Sequence, residues 1–312
     1  MRKTLEQLAP LETVIAEKMA RGIGAQALGS EISTPGLHPR LVEAYSRNPK
    51  DALATARDSL MSIEGPDKKE QLNSGLDAYF DLTIKLDHAA FPNSASGEVT
   101  KGVPDYIPDG FIDMGKDGNI APDQREREQI RVDKREILEK YKPFIADVLG
   151  RDYGETDKQA FKRRLAIEAA KEVYRSMQYN ISSSENLGGD IVDLSTVPEG
   201  VCRHQGLIFQ VLCQTLGLKS RILKSYRDGE RHSTNMVRFD GQWYIFDVTN
   251  PDYAVNSDGD KEWRPGAFAV DEPPKPNETK RYEVKGRFSG EAHTYTAHDK
   301  MFWRVQADAK AA

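Results

Sequence analysis

Three residues of this chain are of types that can do covalent chemistry together: Cys202, His232 and Asp247. A thiolate is a strong nucleophile, an imidazole moves protons near neutral pH, and a carboxylate can hold the imidazole in one tautomer. Cys202 follows Pro198-Glu199-Gly200-Val201 and opens an apolar-periodic run to Leu216. Its sulfur is therefore expected at a helix N-terminus, where free N–H groups and the positive helix end favour thiolate. The same amides could donate to an oxyanion formed by attack at a carbonyl. Leu207, Ile208, Val211, Leu212 and Leu216 cover a wide arc of that helix, which predicts burial with the first turn at a cleft. On position alone, an ordinary buried cysteine is the simpler reading.

The spacing of His232 and Asp247 adds an argument from register. His232–Phe239 and Gln242–Val248 flank Asp240-Gly241, a strong signal for a two-residue hairpin turn. With two residues in the turn, Phe239 faces Gln242, Thr234 faces Asp247 and His232 faces Thr249. His232, Thr234, Asp247 and Thr249 then share one face, with Asp247 the diagonal neighbour of His232. A three-residue turn would invert the parity and separate them.

Other residues compete for roles. Gln205, in the first turn after Cys202, and Asn186 before it are candidates to complete an oxyanion hole. Trp243 shares the His232 face and is a candidate to line the cleft. His204 lies about 200° around the helix from Cys202 and reads as structural. Cys213 is roughly 16 Å along the same helix and reads as core packing. Asp113, Asp117 and Asn119 echo part of a calcium loop, but Gly115 and Gln124 stand where ligands are needed, and a turn-rich linker is the simpler reading. His293 and His298 lack ligand spacing, so neither a metal nor another cofactor is expected. The alternating charges of Arg125–Arg135 read as a solvated helix face.

The elements that must position these residues fall into two regions. Residues 1–91 read as helical, with Leu5, Leu8, Leu11, Ile15 and Met19 near helical spacing. Further helices are expected around Pro39–Ile63 and Lys68–Phe91, divided at Gly65-Pro66. Residues 92–124, rich in Gly, Pro, Asn and Asp, read as a linker or long loop. Residues 125–312 are expected to form the thiol domain, beginning with helices at about Gln124–Leu149 and Asp157–Met177. After the Cys202 helix, closed by Gly217, come a strand at Lys219–Tyr226 and the hairpin. The fold class is α+β.

The bulk properties narrow the rest. An apolar share of 38% against 30% charged suffices for compact cores, and the length allows two domains. The net charge of −5 is spread along the chain, so no basic footprint argues for nucleic acid. Two cysteines make no disulfide framework and suit a reducing compartment. No stretch is apolar enough to span a bilayer, and acidic and polar residues interrupt the N-terminus where a signal peptide would be apolar. A cytoplasmic protein, or one exported without a recognisable signal peptide, is expected.

Several motifs together resemble the transglutaminase-like superfamily, a branch of the papain-like folds. They are Gly200-Val-Cys202-Arg-His-Gln-Gly-Leu-Ile-Phe, Leu216-Gly-Leu-Lys-Ser-Arg221, His232-Ser-Thr-Asn235 and Gly241-Gln-Trp243-Tyr-Ile-Phe-Asp247-Val-Thr-Asn-Pro251. Gly-Val-Cys-Arg-His is particularly similar to the transglutaminase-like domain of a plant ethylene-responsive kinase family. The resemblance spans roughly residues 160–253. It implies a papain-like core, a central helix packed on an antiparallel sheet, with a Cys202-His232-Asp247 triad. It also implies thiol attack on an amide of a protein or peptide, ending in hydrolysis, deamidation or transfer to an amine. Thr234 stands where many relatives carry an aromatic residue. The rival expectation is a catalytically silent binding module of the same fold, with the helical N-terminal region engaging a partner.

Overall fold

The computed structural model describes residues 48–91, 106–113, 128–151, 157–180, 191–255, 258, 260–275 and 278–298. The expected first helix, residues 39–47, Asn186 and the Gly115–Gln124 turn lie outside these residues. By contact the chain divides into two units, Met1–Phe111 with Asp133–Gly154, and Ile112–Val132 with Glu155–Ala312.

In the first unit the apolar stripes yield α1 (Pro49–Ala52), α2 (Ala54–Met61) and α3 (Lys68–Ala90). Gly65, at φ +104°, sits in the break between the last two, a backbone conformation that glycine adopts without strain. α3 buries Leu72, Leu76, Tyr79, Phe80 and Leu86. The chain then leaves through β1 (Phe111–Asp113) and β2 (Gln129–Val132), and returns as α4 (Lys134–Gly150), which packs on α3. Buried Lys134 Nζ meets Asp87 Oδ2 at 2.6 Å and the Tyr106 hydroxyl at 2.8 Å. The Tyr106 O–H in turn donates to Asp87 Oδ1, and the Asp109 N–H donates to Asp87 Oδ2.

Two expectations change here. Within the presumed linker, Tyr106, Ile107, Phe111 and Ile112 are buried, because an apolar Tyr-Ile…Phe-Ile pair can pack despite the Pro and Gly around it. The helix expected from Gln124 begins only at Lys134, where the Asp133 side chain accepts from the Glu136 N–H. Ile130 and Val132 alternate inward as a strand, which pairs in parallel with β4 (Ile191–Asp193). Nor are all the described charges of that run solvated, since Glu128 and Lys134 are buried against partners of opposite charge.

The second unit has the expected α+β arrangement, a buried helix against an antiparallel sheet. After α5 (Lys158–Ser176), β3 (Gln178–Tyr179) pairs in parallel with β5 (Glu199–Gly200), which runs into α6 (Cys202–Thr215). Gly217, at φ +70°, ends that helix. There follow β6 (Lys219–Arg227), β7 (Glu230–Phe239) and β8 (Gln242–Asp247). Short β9 (Ala254–Val255) and β10 (Lys261–Glu262) form a ribbon. Then come β11 (Gly266–Val270), β12 (Thr279–Lys285) and β13 (Ala292–His298). The main sheet is antiparallel throughout, in the order β11-β8-β7-β6-β13-β12.

One face of this sheet receives α6, through contacts with β6 and β7. Asn235 Nδ2 donates to the Gly206 carbonyl and to Gln210 Oε1, and Phe209 stacks on Phe246. The other face is concave: Met236, Trp243, Ile245, Phe268, Tyr282 and Tyr295 meet across it, and the outer strands β11 and β12 touch. The sheet therefore curls around a second core. Asp228-Gly229 and Asp240-Gly241 make its two tight turns, each with both residues at positive φ.

Candidate active site

The β7–β8 register is the one the two-residue turn requires, with Phe239 opposite Gln242, Val237 opposite Tyr244 and Asn235 opposite Phe246. His232 and Asp247 consequently lie on the concave face, and His232 Nε2 meets Asp247 Oδ2 at 2.8 Å. With Nε2 committed to the carboxylate, Nδ1 is the ring nitrogen left for a nucleophile. Cys202, at the start of α6, is close enough to the His232 ring and the Ser233 backbone for both to bear on its thiol. The structure thus brings Cys202, His232 and Asp247 together.

The electrostatics favour an ion pair. Burial opposes charge on Cys202, yet the His232 ring, the Ser233 amide and the Lys224 ammonium outweigh it and hold the thiol below its ordinary value. Burial likewise disfavours charge on His232, but the Asp247 carboxylate and Cys202 push it up to about 10. For Asp247, buried at 1% exposure, desolvation raises the pKa; the His232 charge and hydrogen bond, the Tyr295 hydroxyl and Arg227 more than reverse that.

The other candidates take different places. Gln205 is buried, its Nε2 donating to the Met177 carbonyl and its Oε1 accepting from Thr249. It ties α6 to Met177 at the end of α5 and to Thr249 after β8. Asn186 lies outside the described residues. Trp243 does share the His232 face, but it packs in the concave core with Met236 and Ile245 and lines no cleft beside Cys202. The reason is simple spacing: it lies four positions along the strand from Asp247, about 13 Å.

His204 is structural, as its helical angle suggests. Its Nδ1 accepts from the Val201 N–H, and burial together with the Arg203 charge lowers its pKa to about 4, so it is neutral. It belongs to a buried ionic group beneath the helix start. Arg203 donates to the Glu128 carbonyl, and Lys224 Nζ meets Asp113 Oδ2 at 2.8 Å. Asp113 is thereby an ion-pair partner, and among the described residues no three His, Cys, Asp or Glu side chains gather to hold a metal. Cys213 is a buried core residue.

Three residues around Asp247 escaped sequence reasoning. Asn250 donates its backbone N–H and Nδ2 to the carboxylate. Tyr295, from β13, donates its hydroxyl to Asp247 Oδ2 at 2.7 Å, and Arg227 Nε lies 3.8 Å from the same oxygen. The Asn250-Pro251 pair after Thr249 could have marked a turn beside the carboxylate. For Tyr295 there was no local signal, since its strand joins the sheet from far along the chain.

With this arrangement established, comparison with known proteins gives a consistent class. Residues 111–251 match the model of the EDR1/CTR1/ARMC3 peptidase-like family. The transglutaminase-like motifs from Gly200 to Pro251 fall inside that segment, so the resemblance holds there. Over 84 residues the chain is 32% identical to the probable serine/threonine-protein kinase SIS8 of Arabidopsis thaliana, covering 26% of this chain and 8% of the relative. This chain thus spans a small part of that protein's length. A solved chain from Cytophaga hutchinsonii, described as a "Putative Cysteine Protease", matches with 16% identity and a TM-score of 0.27, over 50% of this chain and 58% of the other. Tyr295 lies beyond the matched family segment. Among the described residues, no helix is long and apolar enough to cross a membrane.

Proposed function

We propose that this chain is a thiol enzyme acting on amide bonds of a protein or peptide, with Cys202 as nucleophile, His232 as proton carrier and Asp247 as the group that orients it. The observation that carries the reading is the His232–Asp247 hydrogen bond beside the helix start that bears Cys202, with a thiol below and an imidazole above their ordinary pKa values. The Cys202 thiolate attacks the carbonyl carbon, forming an Sγ–C bond while the carbonyl pair moves to oxygen, held by amides at the helix start. As the tetrahedral intermediate collapses, the C–N bond breaks and the leaving nitrogen takes the proton from His232. Water then attacks the thioester, giving up a proton to His232, and the carboxylic acid leaves as the thiolate–imidazolium pair re-forms. If ammonia is the first leaving group the net reaction is glutamine deamidation; if an amine replaces water it is acyl transfer. Hydrolysis or deamidation ranks ahead, because Thr234 replaces the aromatic residue that many relatives carry beside the histidine. The helical first unit would select the substrate or partner.

The test is direct. Parent and Cys202→Ala are assayed for amide hydrolysis, glutamine deamidation and primary-amine incorporation on glutamine-containing proteins, and Cys202 and Cys213 are compared for alkylation at neutral pH. Activity is expected in the parent and absent from Cys202→Ala, whose melting temperature stays close to the parent's. Cys202 should alkylate far faster than Cys213. Full activity in Cys202→Ala ends the nucleophile assignment. No activity in the parent, with equal alkylation of both cysteines, makes a silent binding module the better description.

A further inference from the structure

Asp247 is held by more than the histidine it orients. Its Oδ2 receives both His232 Nε2 and the Tyr295 hydroxyl, while Oδ1 receives the Asn250 amide. Asn250 is three residues away and moves with Asp247. Tyr295 differs, because it sits on β13, with β7 and β6 lying between β8 and β13 in the sheet. Only the curl of the sheet lets a phenol from that strand reach the carboxylate. Tyr295 is fully buried, its ring tilted against His232 with centroids 6.2 Å apart and against Phe268 at 6.1 Å. It is also the cross-strand partner of Arg227, which approaches the same carboxylate oxygen. Burial, and then the Asp247 charge, raise its pKa, so the phenol keeps its proton and donates it.

We propose that Tyr295 is a positioning residue of this site, its hydroxyl fixing the Asp247 carboxylate in the rotamer that receives His232. The inference rests on the triad reading above and extends the site to a strand outside the matched family segment. Without the hydroxyl, Asp247 keeps its turn-side donors but loses the tie that aims Oδ2 across the concave face. The imidazolium then loses part of its stabilisation, and with it the thiolate that depends on the imidazolium. The charged and titratable groups facing this trio are Tyr179 from β3, Lys224 and Arg227 from β6, and Tyr295 from β13, with Glu230 of β7 beside Tyr179.

The experiment uses the full chain carrying Tyr295→Phe, which keeps the ring and removes only the hydroxyl. Tyr282→Phe is the control: that phenol shares the same core but donates to the Glu272 carbonyl. Three quantities are read for each: the His232 titration by NMR, the pH profile of Cys202 alkylation, and the thermal melt. In Tyr295→Phe the His232 midpoint should fall by about one pH unit, as expected for a lost hydrogen bond to a charged group. The alkylation profile should narrow, its lower limb moving up. Tyr282→Phe should titrate as the parent does. If Tyr295→Phe shifts only the melt, or neither variant alters the titration, the hydroxyl merely satisfies a buried carboxylate and the inference is overturned. A parent without turnover whose His232 still shifts on Tyr295→Phe retracts the enzyme reading and leaves the positioning intact.

Discussion

At the Asp247 carboxylate, burial opposes ionisation, and the His232 charge together with its hydrogen bonds reverses that. Replacing it by Asn removes the charge and offers an amide that can donate to His232 Nε2, which selects the wrong tautomer for a base. Asp247→Asn should therefore lower kcat about 10- to 100-fold with KM little changed, the worth of one hydrogen bond to a charged group. Steady-state kinetics at saturating substrate check this. The same residues set a pH dependence of stability. A histidine whose folded pKa is raised stabilises fully below its unfolded value of about 6.5, and loses that contribution as pH climbs through the folded value. Cys202, with a lowered folded pKa, contributes in the opposite sense, so the histidine's share is read in Cys202→Ala. Denaturant melts of that variant should show stability falling from about pH 6.5 upward, and the fall should flatten when Asp247→Asn is added.

At the scale of elements, what the sequence made legible was what short-range periodicity encodes. The α3, α5 and α6 helices and the β7–β8 hairpin lie within a residue or two of their expected ends, and Asp240-Gly241 fixed the parity that puts His232 beside Asp247. The β2 strand was read as helix because alternating charges fit either period, and only burial of Glu128 against Arg203 and His204 shows which one packs. Strands β11, β12 and β13 carry no such local signature; their reason for existing is the concave face they close, and Tyr295 was hidden with them. The short β5 strand ahead of α6 supplies a sharper test of positioning. A Cβ on Gly200 would lie 2.7 Å from His204 Cβ and 3.0 Å from Met177 Sδ. The His204 Cβ, fixed to the backbone of α6, cannot withdraw without moving the helix start. Gly200→Ala should thus cost about 1–3 kcal/mol of stability, measured by denaturant melt, and slow Cys202 alkylation.

The whole chain is built from units that interrupt one another, since α4 belongs by contact to the first unit while the segments on both sides of it belong to the second. A boundary at residue 125 would keep α4 but discard α3, leaving Ile137, Tyr141 and Ile145 without the helix they pack beside. It would also remove Asp113, the partner of Lys224. We expect a chain cut at 125 to expose apolar surface to a hydrophobic dye. A chain joining 112–132 to 155–312 through a short Gly-Ser link should melt cooperatively and alkylate at Cys202 as the parent does. A cooperative, dye-silent melt from the cut at 125 would restore the simpler boundary.

The two Asp-Gly turns on either side of β7 act on this site as a reading frame acts on a message. Side chains on a strand alternate between two faces, and one face here holds α6 while the other holds Asp247 and Tyr295. A single residue gained or lost in either turn shifts one strand's phase and sends His232 or Asp247 to the opposite side. No substitution at Cys202, His232 or Asp247 themselves is needed to take the trio apart. Two such changes in the same turn would restore the phase. In descendants of this sequence, the length of those turns is therefore as informative about activity as the identities of cysteine, histidine and aspartate.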